Sequence, residues 1–234
     1  MKSEDKNKEN SKCIADILKL EFLNTEEKKM IKDNVVSIIY PKDTIICKQD
    51  EEIEYLYFLK SGIVKFYKQD NNTKKLSFIT YDNIFINILS IFKNIDIGKK
   101  NEYTLLAAEE CEVCLIKIDV VKELLMKNGD FSYHLIKEIA TGSLYILNTY
   151  VSIYRRQVKE RIAFLILFFR EYYNDNSYSF PLSRVEMAEM LDVARENIIR
   201  TLQEFNKDGI VELKGKKITI KNLDILLKLN KMGK

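Results

Sequence analysis

The sequence predicts an α+β chain in three parts: a β-roll of short strands, one long helix, and a small helical domain closed by a β-hairpin. Three observations predict it. Between Val35 and about Ile118, short runs rich in β-branched and aromatic residues follow one another at turn-sized intervals. From about Asp130 to Arg156 the apolar residues recur alternately three and four apart. In the last quarter two short helical patterns meet at Leu191-Asp192-Val193, and GIVELKGKKITI follows as two strand-like runs around Lys214-Gly215.

Composition sets the frame for these parts. With 234 residues, 46% hydrophobic and 31% charged, the chain can fold as one large or two ordinary domains without metals or disulfides. Its four cysteines (Cys13, Cys47, Cys111, Cys114) are too sparse for a secreted disulfide scaffold, and no apolar run is long enough to span a membrane. Residues 1–19 open with MKSEDKNKENSK, which carries charge of both signs and lacks the apolar core of a signal peptide, so they are expected to form a flexible arm. A reducing cytoplasm is the compartment these features imply. Ser183 to Lys234 holds 11 of the 38 Lys/Arg and 8 of the 35 Asp/Glu, so the whole net excess of +3 lies there. Such a bias fits nucleic acid and fits a solvated tail equally well.

The β-roll is expected over residues 20–129, from the runs TIIC, YLYFL, IVKFYKQ, KLSFITY, YTLLAA and EVCLIKI, separated by turns such as KQDEE, KSG and DNN. Asp43 and Asp50 sit where glycine would be expected, and Asp tolerates the left-handed conformation better than most residues. The long helix is expected over residues 130–156. Ile136, Ile139, Ser143, Ile146, Tyr150 and Ile153 have the spacing of a coiled-coil seam, which needs a partner helix. That partner is either the chain's own β-domain or a second copy. A second stripe (Leu135, Leu144, Leu147, Val151) remains for the β-domain, so a homodimer is expected.

Residues 157–234 form the last domain. VKERIAFLILFFREYY is apolar enough to be its core helix, NDNSYSFPL is a polar loop, and Ser183 after Pro181 is a good helix N-cap. Asp192 can adopt positive φ and end the helix that begins there, while Ala188 is small enough to let a second helix cross closely. Two short helices at a sharp angle make a helix-turn-helix. Val193, Ile198, Ile199, Leu202 and Phe205 supply the buried side of the second helix, which leaves Arg195, Glu196 and Arg200 on or near its exposed N-terminal half. A guanidinium fork can donate to guanine O6 and N7, and a carboxylate can accept from cytosine N4, so these three can read a short G/C-containing word. The alternative is an ordinary Glu196–Arg200 surface pair at i,i+4. The lysine-bearing hairpin tilts the choice toward DNA, because Lys214 and Lys216 can touch phosphate and complete a winged module. Ser183, Arg184 and Asn197 are the further candidates for backbone contact.

With these segments in order, SGIVKFY, SRVEMAEML, ARENIIRTL and FNKDGIVELKGKKITI resemble the Crp/Fnr family of bacterial transcription regulators over nearly the whole chain. The resemblance implies a cyclic-nucleotide-binding-like β-roll, a dimerisation helix and a winged helix-turn-helix. It also implies double-stranded DNA, a second copy of the chain and RNA polymerase as partners. Arg195, Glu196 and Arg200 match the base-contacting residues of the cyclic-AMP receptor type, which implies a palindromic site with TGTGA-like half-sites. Two positions depart from the pattern: Asp192 replaces the usual turn glycine, and Ala194 the usual helix-capping serine.

The family's nucleotide pocket uses a Gly-Glu pair and an Arg-Ser pair. Here Asn87 and Ile88 stand at the first, and Asn101 and Glu102 at the approximate second. A phosphate facing Glu102 without the arginine would lose its charge partner in a partly buried site, so cyclic AMP is not expected as effector. The pocket is expected either to be filled by its own apolar side chains or to take a less polar ligand. The oxygen-sensing branch holds an iron-sulfur cluster on four cysteines, three of them near the N-terminus. This chain has only Cys13 there. Cys114 aligns with the branch's interior cysteine, but Cys111 and Cys114, three apart on a strand, face opposite sides and make a poor metal clip. His134 is the single histidine, so neither haem nor a cupin-type metal site is expected. No cofactor, metal ligand or catalytic residue is assigned, and no Ser-His-Asp set, P-loop or dinucleotide glycine motif is present. The competing class is a β-roll ligand- or partner-binding module whose C-terminal domain binds protein rather than DNA.

Overall fold

The structure, a computed structural model, describes residues 21, 23–71, 73–93 and 100–232. The expected N-terminal arm and Cys13 lie outside the described residues. The chain divides into two compact units, the first ending at Ser143 and the second beginning at Leu144.

In the first unit, helix α1 (Thr25–Asp33) starts with a capping box that the sequence reading missed. Asn24 Oδ1 accepts from the Glu27 N–H, and the Glu27 carboxylate accepts from the Asn24 N–H, each at 2.9 Å. Two four-stranded antiparallel sheets follow. One has the order β1 (Val35–Tyr40), β8 (Cys111–Lys117), β3 (Tyr55–Ser61), β6 (Ile84–Phe85), and the other β2 (Ile45–Cys47), β7 (Thr104–Ala107), β4 (Ile63–Asp70), β5 (Thr73–Tyr81). Side chains alternate across the central strands. Tyr57, Leu59, Cys111, Val113 and Leu115 join one buried cluster with Val64, Phe66 and Leu105 from the other sheet. Leu56, Phe58, Cys114 and Ile116 join a second cluster with α1, α2 (Ile88–Lys93), α3 (Ile118–Lys127) and the start of α4 (Gly129–Tyr154). Both faces of β3 and β8 are therefore covered, which is why YLYFL and EVCLIKI read as continuous apolar runs. Cys111 and Cys114 do face opposite sides.

Asp43 and Asp50 take positive φ, at 63° and 64°. Gly62, between β3 and β4, has φ 102°, and an added Cβ there would lie 2.5 Å from Glu110 O and 2.7 Å from Cys111 Sγ. The backbones approach too closely at SGIVKFY for any other residue.

Helix α4 ends at Tyr154, two residues short of the expected limit, and the expected seam is divided: Ile136, Ser143 and Tyr150 are exposed and Ile146 is half-buried. Ile139 packs against the second cluster, and Ile153 is only 5% exposed. Of the stripe reserved for the β-domain, only Leu135 is buried, whereas Leu144, Leu147 and Val151 are exposed. The open apolar residues of the helix are Tyr133, Ile136, Leu144, Tyr145, Leu147, Tyr150, Val151 and Tyr154, so Ile136 and Tyr150 of the expected seam are among them. Both stripes are thus partly open, and periodicity alone does not rank them.

In the second unit, α5 (Val158–Tyr173) buries Ile162, Ala163, Leu165, Ile166 and Phe169 and packs against α7 (Arg195–Lys207) and α8 (Leu223–Met232). Ser177–Ser179, expected as loop, forms β9 beside the hairpin, giving the sheet order β10 (Val211–Lys214), β11 (Lys217–Ile220), β9. Tyr178 and Phe180, on and just after it, close over Phe169 at ring distances of 6.3 and 5.7 Å, so this polar-looking loop carries core aromatics. The hairpin turn is Gly215-Lys216, one residue later than expected, because Lys214 pairs with Lys217 and Gly215 supplies φ 63°.

Candidate nucleic-acid interface

Helix α6 (Arg184–Leu191) begins with a capping box between Ser183 and Glu186 and ends at Asp192, φ 50°. There the Val193 N–H donates to Ala188 O at 3.0 Å and the Asp192 N–H to Glu189 O at 3.3 Å, a Schellman-type ending. Ala188 is buried and α7 packs against α6. Ile198, Thr201, Leu202 and Phe205 are the buried side of α7.

The opposite side carries Arg195, Glu196 and Arg200, all exposed. Arg200 donates to Asn197 Oδ1 at 2.8 Å rather than pairing with Glu196. Among the described residues Arg195 and Glu196 make no ion pair. Ala194 offers no side-chain cap, so the N-terminal N–H groups of α7 have no side-chain acceptor there. Behind this face, Lys159 of α5 holds Glu204 at 2.8 Å.

The other candidates divide by how far the fold has engaged them. Ser183 Oγ accepts from the Glu186 N–H at 3.2 Å and keeps its own proton to donate. Arg184 lies over the Phe180 ring, reaches Met187 Sδ and donates to Gly215 O at 3.5 Å, so it ties the hairpin to α6; burial lowers its pKa. Lys214 is 2.7 Å from Glu212, which also holds Lys221 at 2.8 Å. These two lysines hold the Glu212 carboxyl down at about 2. Lys216, at the tip, is exposed, with no ion pair among the described residues.

A helix-turn-helix with a lysine-tipped wing calls for comparison with known proteins. Residues 160–229 match the Crp-like helix-turn-helix domain and residues 38–128 the cyclic nucleotide-binding domain. The chain belongs to the Crp/Fnr family. It is 23% identical over 224 residues to the fumarate nitrate reduction regulatory protein of Klebsiella oxytoca, covering 93% of this chain and 88% of that one. It is 21% identical to the regulatory protein HlyX of Actinobacillus pleuropneumoniae over 222 residues, 92% and 90% of the two chains. A Crp/Fnr-family structure from Eubacterium rectale superposes with a TM-score of 0.75 at 23% identity, covering 89% of this chain and 95% of that one. As a Crp/Fnr protein the chain is a transcription regulator with a helix-turn-helix DNA-binding domain, and it is not an enzyme.

In this Crp/Fnr chain most of the candidate pocket residues in the segment matching the cyclic nucleotide-binding domain are engaged within it. Buried Asn87 accepts from the Tyr57 N–H at 2.9 Å and donates to Tyr55 O at 2.8 Å, bracing β3. Ile88 belongs to the helix-side cluster. Ser90 Oγ accepts from the Glu102 N–H at 3.2 Å, which brings the two candidate segments together. Glu102 pairs with Lys68 at 3.1 Å, and Lys68 lies over the Tyr103 ring. Phe66 and Phe78 stack at 4.1 Å with Tyr103 edge-on to both, filling this side of the roll. Asn101 is 3% exposed and its Oδ1 has no hydrogen-bond partner. No helix among the described residues is long and apolar enough to cross a membrane.

Proposed function

We propose that this regulator works in the cytoplasm as a homodimer that binds a palindromic DNA site through two copies of α7. Base reading falls to Arg195, Glu196 and Arg200, and the half-site is TGTGA-like. The observation that carries this reading is the pair Arg195 and Glu196: both stand exposed on the first turn of α7, unengaged by ion pairs among the described residues, immediately after the tight turn at Asp192. A guanidinium and a carboxylate held there suit guanine O6/N7 and cytosine N4. Lys216 and Lys214 of the wing, with Ser183 and Asn197, supply phosphate contacts, while Arg184 sets the wing in place. The α4 line through Leu144, Leu147 and Val151 pairs the two copies. RNA polymerase is the further partner, and the effector, still to be identified, is not cyclic AMP.

Selection of bound duplexes from a random library tests the reading. The wild type is expected to return a two-fold symmetric motif with TGTGA-like halves. Glu196→Gln keeps the shape but changes the donor pattern, and it should relax preference at one base pair by about 1 to 3 kcal/mol. Arg195→Ala and Arg200→Ala should each relax a different position. Unchanged preference in all three variants would make them a solvated helix face.

A further inference from the structure

Arg161 lies on the first turn of α5, a core helix, yet its guanidinium is spread over backbone carbonyls from two other elements. Nε donates to Arg156 O at 2.9 Å, and one terminal nitrogen donates to Leu191 O at 2.8 Å and Asp192 O at 3.0 Å. The other terminal nitrogen approaches Tyr154 O at 3.4 Å, and the guanidinium carbon lies 5.8 Å from the centre of the Tyr154 ring. Tyr154 and Arg156 are the end of α4 and the turn after it; Leu191 and Asp192 are the end of α6 and the turn before α7. The last carbonyls of a helix lack intrahelical donors and carry partial negative charge, so one planar cation joins two helix ends that would otherwise face each other unfavourably. Arg156, 4% exposed, adds a second tie by donating to Ser152 Oγ at 3.1 Å and to Asn230 O at 2.9 Å. Tyr154 itself stands on the exposed line of α4 and shares a 3.1 Å hydrogen bond with the Tyr150 hydroxyl.

We propose that Arg161 is a positioning residue: it fixes the turn that launches the recognition helix to the end of the long helix, and so sets the spacing at which the dimer reads its two half-sites. This rests on the dimeric DNA-binding reading above. In a two-fold dimer the distance between recognition helices follows from how each is held on its own α4, and half-site spacing follows that distance. A lysine keeps the charge but offers one ammonium in place of a fork.

The test uses the full chain and the palindromic duplex that the wild type selects, with its central spacer shortened or lengthened by one and two base pairs. Arg161→Lys is expected to flatten the preference for the native spacer by about tenfold while leaving the penalties for single-base changes within a half-site unaltered. A destabilised domain would instead lower all affinities together. If Arg161→Lys does not melt cooperatively, Arg161→Gln, which keeps two donors on a shorter stem, replaces it. Loss of folding in both variants overturns a positioning role, as does a spacer profile identical to wild type. Failure of the wild type to bind any selected palindrome would instead overturn the DNA-binding reading on which the proposal stands.

Discussion

Glu212 and its two lysines show how a single side chain tunes the interface. Lys214 lies on the wing, where a phosphate would approach, but its ammonium already faces a carboxylate 2.7 Å away. An exposed pair of this kind contributes little to folding, so its consequence is for binding. Glu212→Gln removes a negative charge from the wing and frees Lys214. The expected outcome is tighter binding to all sequences and a salt dependence steeper by about one unit of slope, because one more phosphate contact releases one more counterion. Lys216→Ala should do the opposite, and neither change should alter base preference. Titrating DNA affinity against salt for the three proteins checks both. The Glu212 carboxyl is held well below its ordinary 4.5, so its share of the pairing is complete above that value and is lost only as the pH falls toward 2. Protonation of Glu212 therefore does not regulate the wing near neutrality.

Helix α4 is the element whose surface most needs a partner. It carries no Asp, Glu, Lys or Arg from Ile139 to Tyr154, and Leu144, Leu147 and Val151 stand 58%, 57% and 40% exposed along one line. An uncharged stretch about 24 Å long, at 1.5 Å per residue from Ile139 to Tyr154, is a surface suited to knobs-into-holes packing. Aspartates introduced together at Leu144 and Leu147 would be desolvated in such a seam, so the double variant should sediment as a monomer and lose most of its DNA affinity. Should it sediment with the wild type, the dimer is formed by another face. Ile153→Ala serves as the contrast: that side chain is already buried in the single chain, so the change should lower the melting temperature through a cavity cost of about 2 to 5 kcal/mol and leave the dimer intact.

Between the two sheets, the question is what the roll can sense. Glu102 is paired with Lys68, Phe66, Phe78 and Tyr103 pack together, and Asn87 braces β3, the contacts behind the proposal that cyclic AMP is not the effector. A ligand raises the melting temperature only by binding the native state. Cyclic AMP and cyclic GMP should therefore leave the thermal transition of the full chain where it is, and a saturable shift at micromolar nucleotide would overturn this reading. Small molecules that co-purify with the protein, identified by mass spectrometry, are the direct route to the effector.

Local chemistry made much of this molecule readable before folding was considered. Asp43, Asp50 and Asp192 tolerate positive φ, Ser183 caps a helix, and the spacing of Ile198, Leu202 and Phe205 buries one side of α7 and so exposes Arg195, Glu196 and Arg200. Each of these depends on residues within a turn or two. The capping box at Asn24 is equally local, an Asn followed three residues later by Glu27. The facing of α4 was only partly readable, because two apolar stripes lie side by side and contacts with other chain segments cover part of each. Ser177–Ser179 became a strand through pairing with Thr219, Ile218 and Lys217, some 40 residues away, which no local signal announces. Arg161 belongs to the same class: in sequence it is one cation on a core helix, and its role appears only when folding brings the ends of α4 and α6 within reach of one guanidinium. Short-range steric and hydrogen-bonding preferences act on the chain as written, whereas burial and shared carbonyl acceptors exist only once remote segments have met.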